Sequence, residues 1–295
     1  MLNFEIEFME ANEMDKKKLR LLAAIGAFLL NMLFLTIVGK LVVPEEWVNN
    51  FILQKVVLII QEIEITSVFV LLSVKVFKIK IEFEKQNLVK CIFWYGLVAC
   101  IAVIVNFVMG YNTPEKSITT ALPYILLSFI TMMCVGVAEE VMCRGFLFGA
   151  CRDYFGESKK GIYLSVFISA VVFGCWHIGN LLFAPDLVIA TVAQVIYATE
   201  FGVIFAVIYY RSKSLIPCII LHGLIDFASD FWNCFAGDVN EVLTANNTID
   251  IDIASAIGLV ALCSPFVISG LWQLRTVFKK KSENRPMSNV SEENV

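Results

Sequence analysis

Three short groups of polar residues stand inside otherwise apolar stretches of this chain: Glu139 and Glu140 followed by Arg144, Phe173 followed by His177, and His222 followed by Asp226, with Asp230 one turn further on. The chain has two histidines, and both lie in these groups. A carboxylate and an imidazole are the side chains best suited to take and return a proton, so together they suit activation of a water molecule. On a helix, residues four apart stack on one face, which pairs Glu140 with Arg144 and His222 with Asp226. Glu139 projects about 100° away from Glu140, so the two acids have different neighbours and suit different roles, one chemical and one structural. Taken singly, each group has a plainer reading. Glu140 with Arg144 reads as a buried ion pair that holds a helix, His177 as a satisfied interfacial histidine, and His222 with Asp226 as a proton relay. Together they point to an active site, because packing alone does not ask for two acids, an arginine, two histidines and a further acid at one level.

The elements that must position them are membrane helices. Of the 295 residues, 58% are apolar and only 17% charged, with a mean hydropathy of +0.76, a balance that excludes an ordinary water-soluble domain. A hydrocarbon core of about 30 Å takes about 20 apolar residues in a helix. Eight stretches qualify, roughly 19–43, 52–77, 88–110, 121–150, 160–179, 187–210, 214–235 and 252–278. The second is the weakest, since it carries Lys55, Glu62 and Glu64. The expected fold is therefore an all-α membrane protein, a bundle of about eight transmembrane helices.

Positive charge alternates along the connections in support of that reading. Lys16, Lys17, Lys18 and Arg20 precede the first span, and Lys75, Lys78, Lys80, Lys85 and Lys90 fill the second connection. Arg152, Lys159 and Lys160 fill the fourth, Arg211 and Lys213 the sixth, and Lys279, Lys280, Lys281 and Arg285 follow the last. The odd-numbered connections are acidic or nearly uncharged, which places both termini in the cytoplasm and requires an even number of spans. Counted from Arg152, Lys160 and Lys213 at about 1.5 Å per residue, Glu139, His177, His222 and Asp226 fall at depths of roughly 20, 26, 14 and 20 Å, one layer within the bilayer. Ionisable groups at such depth are costly, face the bundle interior and mark function. Glu62, Glu64 and Glu200 lack such company. Glu62 and Glu64 lie about 200° apart on a helix, so both cannot face one groove, and neither receives a role.

The expected organisation is a cytoplasmic N-terminal segment (1–18), one eight-helix domain (19–281) and a disordered cytoplasmic tail (282–295). The N-terminus opens with acidic and polar residues and does not read as a removable signal peptide. The nine cysteines lie in or beside apolar runs without paired spacing, so no disulfide framework is expected. No repeat of 20–50 residues and no pair of broken helices in matching halves, as in many transporters, is visible.

The segments EEVMCRGFLFG, SAVVFGCWHIGNLL and SLIPCIILHGLIDF resemble those of the CPBP group, the CAAX-prenyl-protease and bacteriocin-processing intramembrane proteases. That group has Glu-Glu-x-x-x-Arg, Phe-x-x-x-His and His-x-x-x-Asn/Asp in order, on a bundle usually of eight helices. All three elements occur here between residues 139 and 226, about a third of the chain. Two positions depart from the commoner form: Cys143 stands where many members have an aromatic, and Asp226 stands where many have Asn. The latter bears on mechanism, because an amide can donate a hydrogen bond to an oxyanion and an ionised carboxylate cannot.

The resemblance implies an intramembrane endopeptidase, in a bacterial cell membrane, that cleaves a membrane-associated or lipidated, CAAX-like peptide. Its partners are that peptide and the lipid bilayer, and no nucleic acid is expected. Glu139 is expected to take a proton from a water held between it and His177, and His222 to face the carbonyl oxygen. Asp226 either accepts the His222 ring N–H or, if protonated, donates to the oxyanion, while Glu140 and Arg144 support the site. Glu139, His177 and His222, with Asp226, would also make an N/O set for zinc or another divalent metal, although water activation needs only Glu and His and no His-Glu-x-x-His pair is present. Two other functions compete: a proton-coupled transporter, and a non-catalytic member that sequesters a peptide, as immunity proteins do.

Overall fold

The computed structural model describes residues 2–85, 87–246 and 251–283. Residues 284–295, most of the expected tail, lie outside the described residues. Among those described no strand occurs. The longer helices are α1 (Leu2–Leu41), α2 (Phe51–Leu71), α3 (Leu97–Met109), α4 (Ile118–Glu140), α5 (Lys159–Trp176), α6 (Val188–Ser212), α7 (Ile216–Asp230) and α8 (Ile253–Glu283).

Leu30, Ile104, Ile130 and Ile268 are exposed on the outside of these helices, while Lys55, Glu140, Arg144 and His222 are buried inside. A water-soluble protein has the reverse arrangement. Lipid is the solvent that accounts for it, since polar groups then cost least in the bundle interior. Among the described residues six helices are long and apolar enough to cross a membrane, or seven if the pair Leu88–Tyr95 and Leu97–Met109, bent by 71°, forms one span. The protein is thus an α-helical, multi-pass membrane protein. Length and composition do not give the expected eighth span. Residues 214–235 were read as one, but α7 has 15 residues, about 22 Å at 1.5 Å per residue, less than the hydrocarbon core requires. The helix stops because the chain tightens into a 3-10 turn at Trp232–Phe235, where Asn233 Nδ2 donates back to Asp230 Oδ1 at 3.2 Å. At the other end of the chain α1 runs unbroken from Leu2, so the expected segment 1–18 continues into the first span.

Local chemistry fixes the ends of the helices. Ser158 accepts the Gly161 N–H at 3.0 Å at the start of α5, and Asn50 accepts the Leu53 N–H at 3.1 Å at the start of α2, each satisfying a donor the helix leaves free. Asp252 accepts the Ser255 N–H at 2.7 Å ahead of α8, which holds its carboxyl below the usual carboxylate range. Lys213, with φ of 52°, reverses the chain between α6 and α7. That turn is clamped from the connection after α2, where the Glu82 N–H donates to Tyr209 Oη at 2.8 Å and Glu82 O accepts the Leu215 N–H at 3.0 Å.

The crossing of α4 and α7 positions the site. A Cβ on Gly136 would stand 2.9 Å from both Gly223 N and Ile219 O, and one on Gly223 would stand 3.1 Å from Met132 O. Only glycine at both positions lets the two backbones approach so closely. Glu139 lies one turn from Gly136 and His222 is next to Gly223, so the crossing brings acid and imidazole together. Lower on the same helices, Lys55 of α2 reaches Asp230 Oδ2 at 2.6 Å, and Ser128 of α4 donates to the same oxygen at 2.5 Å. This buried ion pair ties α2, α4 and α7.

Candidate active site

After Glu140 the chain winds as a π-helix over Val141–Leu147, every residue of which is buried, and then resumes α-helix over Phe148–Phe155. Such wide turns cluster at functional sites. The Glu140 to Arg144 pairing expected from α-helical spacing survives the wider turn: Arg144 Nη1 stands 2.9 Å from Glu140 Oε1, with both side chains essentially inaccessible. The guanidinium is held between rings, 4.6 Å from the Phe173 centroid and 5.2 Å from that of Phe205. Among the described residues, Nη1 and Nη2 make no well-aligned hydrogen bond, and Glu140 Oε2 has no hydrogen-bond partner.

His222 is gripped on every side. Its Nδ1 is 2.7 Å from Glu140 Oε1, and its Nε2 is 3.4 Å from Glu139 Oε2 and 3.5 Å from Asp226 Oδ2. Phe205 of α6 stacks on the ring at 5.3 Å and 11°. The short contact belongs to Glu140, while Asp226, expected either to accept the ring N–H or to donate when protonated, shares the other nitrogen with Glu139. Glu140 therefore orients two partners at once, Arg144 and His222.

His177 begins a 3-10 segment, His177–Leu182, at the end of α5. Phe173 packs edge-on against both imidazoles, 5.5 Å from His177 and 6.2 Å from His222. Glu139, His177, His222 and Asp226 all line one cavity of about 630 Å³. Beyond that polar end its walls are mainly apolar, with Ile101 of α3, Phe201 of α6, and Leu262 and Phe266 of α8. Among the described residues no three His, Cys, Asp or Glu side chains form a group able to hold a metal ion.

Two residues at the site escaped the sequence reading. Phe205 stacks on both His222 and Arg144, and nothing in the pattern of α6 distinguishes it from a packing residue. Glu62 was set aside because it and Glu64 could not share a groove. They do not: Glu64 accepts hydrogen bonds from Asn31 of α1 at 3.2 and 3.3 Å. Glu62 instead is buried, its Oε2 without a hydrogen-bond partner among the described residues, within electrostatic reach of Glu139, His222 and Asp226.

No curated protein matches this chain. Residues 121–228, which contain Glu139, Glu140, Arg144, His177, His222 and Asp226, match the family model for type II CAAX prenyl endopeptidase Rce1-like proteins, a similarity that spans less than half of the chain.

Proposed function

We propose that the protein is an intramembrane endopeptidase that hydrolyses a peptide bond of a membrane-associated or lipidated, CAAX-like peptide with a water activated by Glu139 and His177. The observation that carries this reading is the meeting of Glu139 and His222, 3.4 Å apart, at the polar end of a cavity whose other walls are mainly apolar. A carboxylate at that end takes a proton from water as it attacks the carbonyl carbon, and afterwards returns it to the departing amine. The apolar walls receive the hydrophobic part of the substrate and keep bulk water out.

His222 stabilises the oxygen on which charge develops. Both of its nitrogens face carboxyl oxygens, so a doubly protonated ring satisfies both, with Nδ1–H donating to Glu140 and Nε2–H turned to the cavity. When a substrate carbonyl enters, Nε2–H is the donor available to the oxyanion. Glu140, Arg144 and Phe205 fix the ring, so little reorganisation is left for the moment of reaction. Asp226 stands beside the same nitrogen and donates to the oxyanion only when protonated. The site residues belong to one multi-helix membrane domain, which we place in a bacterial cell membrane with both termini in the cytoplasm.

The test is cleavage of a lipidated, membrane-bound peptide by the purified protein. Glu139→Gln and His177→Ala abolish cleavage while the protein stays folded in the membrane. Retained cleavage in either variant refutes the assignment, and peptide binding without cleavage by the unaltered protein favours the sequestering function.

A further inference from the structure

A second gathering of charge and aromatic surface lies where the chain leaves α2 and enters α3. Residues 75–90 carry five lysines, Lys75, Lys78, Lys80, Lys85 and Lys90, all exposed, against two glutamates. Of these, Glu82 is engaged by Arg152 at 3.4 Å. The segment Leu88–Tyr95 follows at once, bent by 71° from the axis of α3. On it Val89, Phe93 and Trp94 are 66%, 61% and 70% exposed. An open groove of about 430 Å³ runs along this face, lined by Asn87, Val89, Lys90, Phe93 and Trp94.

We propose that this groove binds the phosphate headgroup of an anionic phospholipid, with the Lys90 ammonium against the phosphate and Phe93 and Trp94 among the first methylenes of the acyl chains. Aromatic rings and a lysine on one exposed segment match the two layers of a lipid, charged above and apolar below. The four other lysines add long-range attraction to a negative leaflet. An acidic peptide would match the lysines but leave Phe93 and Trp94 in water, and the lysines that precede the segment are of the kind that mark a membrane boundary. The segment also abuts the site. A Cβ at Gly96, where the bend occurs, would collide with Leu221 Cδ1, and Leu221 precedes His222 within α7.

The experiment needs no peptide cleavage, so its outcome is separate from that of the proposed protease activity. The full chain is reconstituted into phosphatidylcholine bilayers with roughly one-third phosphatidylglycerol, a mixture with the negative surface such lysines would sense. Association of spin-labelled phosphatidylglycerol is then compared with that of spin-labelled phosphatidylcholine. The expected result is selective retention of phosphatidylglycerol, weakened about fivefold in Lys90→Gln and about thirtyfold when Lys85→Gln is added, at about 1 kcal/mol per lysine. Lys90→Arg retains it, and raised salt weakens it. Equal association of the two lipids, retention unchanged in the double variant, or displacement of the lipid by an acidic peptide would each overturn the proposal.

Discussion

Two buried polar clusters lie about two turns apart along α7, and they are built in opposite ways. Around Asp230 the groups are matched: Lys55 and Ser128 share Oδ2, and Asn233 donates to Oδ1. Around His222 they are not. Among the described residues, Glu140 Oε2 and Glu62 Oε2 are buried without hydrogen-bond partners, both terminal nitrogens of Arg144 make no well-aligned hydrogen bond although Nη1 is ion-paired with Glu140, and Glu139 and Asp226 crowd one ring nitrogen. An unsatisfied buried polar group costs about 1–3 kcal/mol, so a cluster with several is retained for something other than stability. The matched cluster locks three helices. The unmatched one opens onto a cavity that a substrate can fill, and its strain is of the kind found at working sites.

That contrast can be broken by substitution. His222→Ala, which removes the proposed oxyanion donor, should lower kcat about 10²- to 10³-fold, and cleavage kinetics on detergent-purified protein would check it. Asp230→Ala should act the other way, on the fold, because it strands the Lys55 ammonium inside the bundle. A loss of about 3–5 kcal/mol is expected, read as a lower Tm, with kcat per folded molecule little changed. Replacing Lys55 and Asp230 together by Met and Leu should restore most of that stability. An Asp230→Ala variant that is stable but inactive would erase the distinction between the clusters.

Smaller changes sharpen it. Arg144→Lys keeps the charge but loses the flat guanidinium held between Phe173 and Phe205. It should cost about 1–2 kcal/mol of transition-state stabilisation, a roughly tenfold fall in kcat/KM, because the anchor of Glu140 and hence of His222 loosens. Asp226→Asn should have the least effect, within about tenfold in either direction, since an amide can also donate to the oxyanion. An inactive Asp226→Asn would assign the carboxyl a proton-transfer role instead.

Much of this was legible in the residues. Apolar runs marked the helices, because a membrane solvent leaves no other way to satisfy the backbone, and the three polar groups stood out against them. The i, i+4 pairing of Glu140 with Arg144 held because it depends only on neighbours within one helix. The partner of His222 Nδ1 could not be read that way. It is Glu140, 82 residues away in sequence, and the choice between Glu140 and Asp226 is made by the Gly136 and Gly223 crossing. The bend at Gly96, the π-helical turns and the short α7 were also hidden, since hydropathy measures how apolar a stretch is and not how its backbone winds. Glu62 was discarded through a pairing argument with Glu64, although the two face different helices.

The most direct measurement is the cleavage rate of Glu139→Gln beside that of Asp230→Asn, each on a lipidated membrane peptide and each normalised to folded protein. The account predicts that Glu139→Gln falls at least about 10³-fold with Tm unchanged, as expected for loss of the base, while Asp230→Asn loses stability and keeps its rate. A Glu139→Gln protein that still cleaves at a rate near that of the unaltered chain would contradict it.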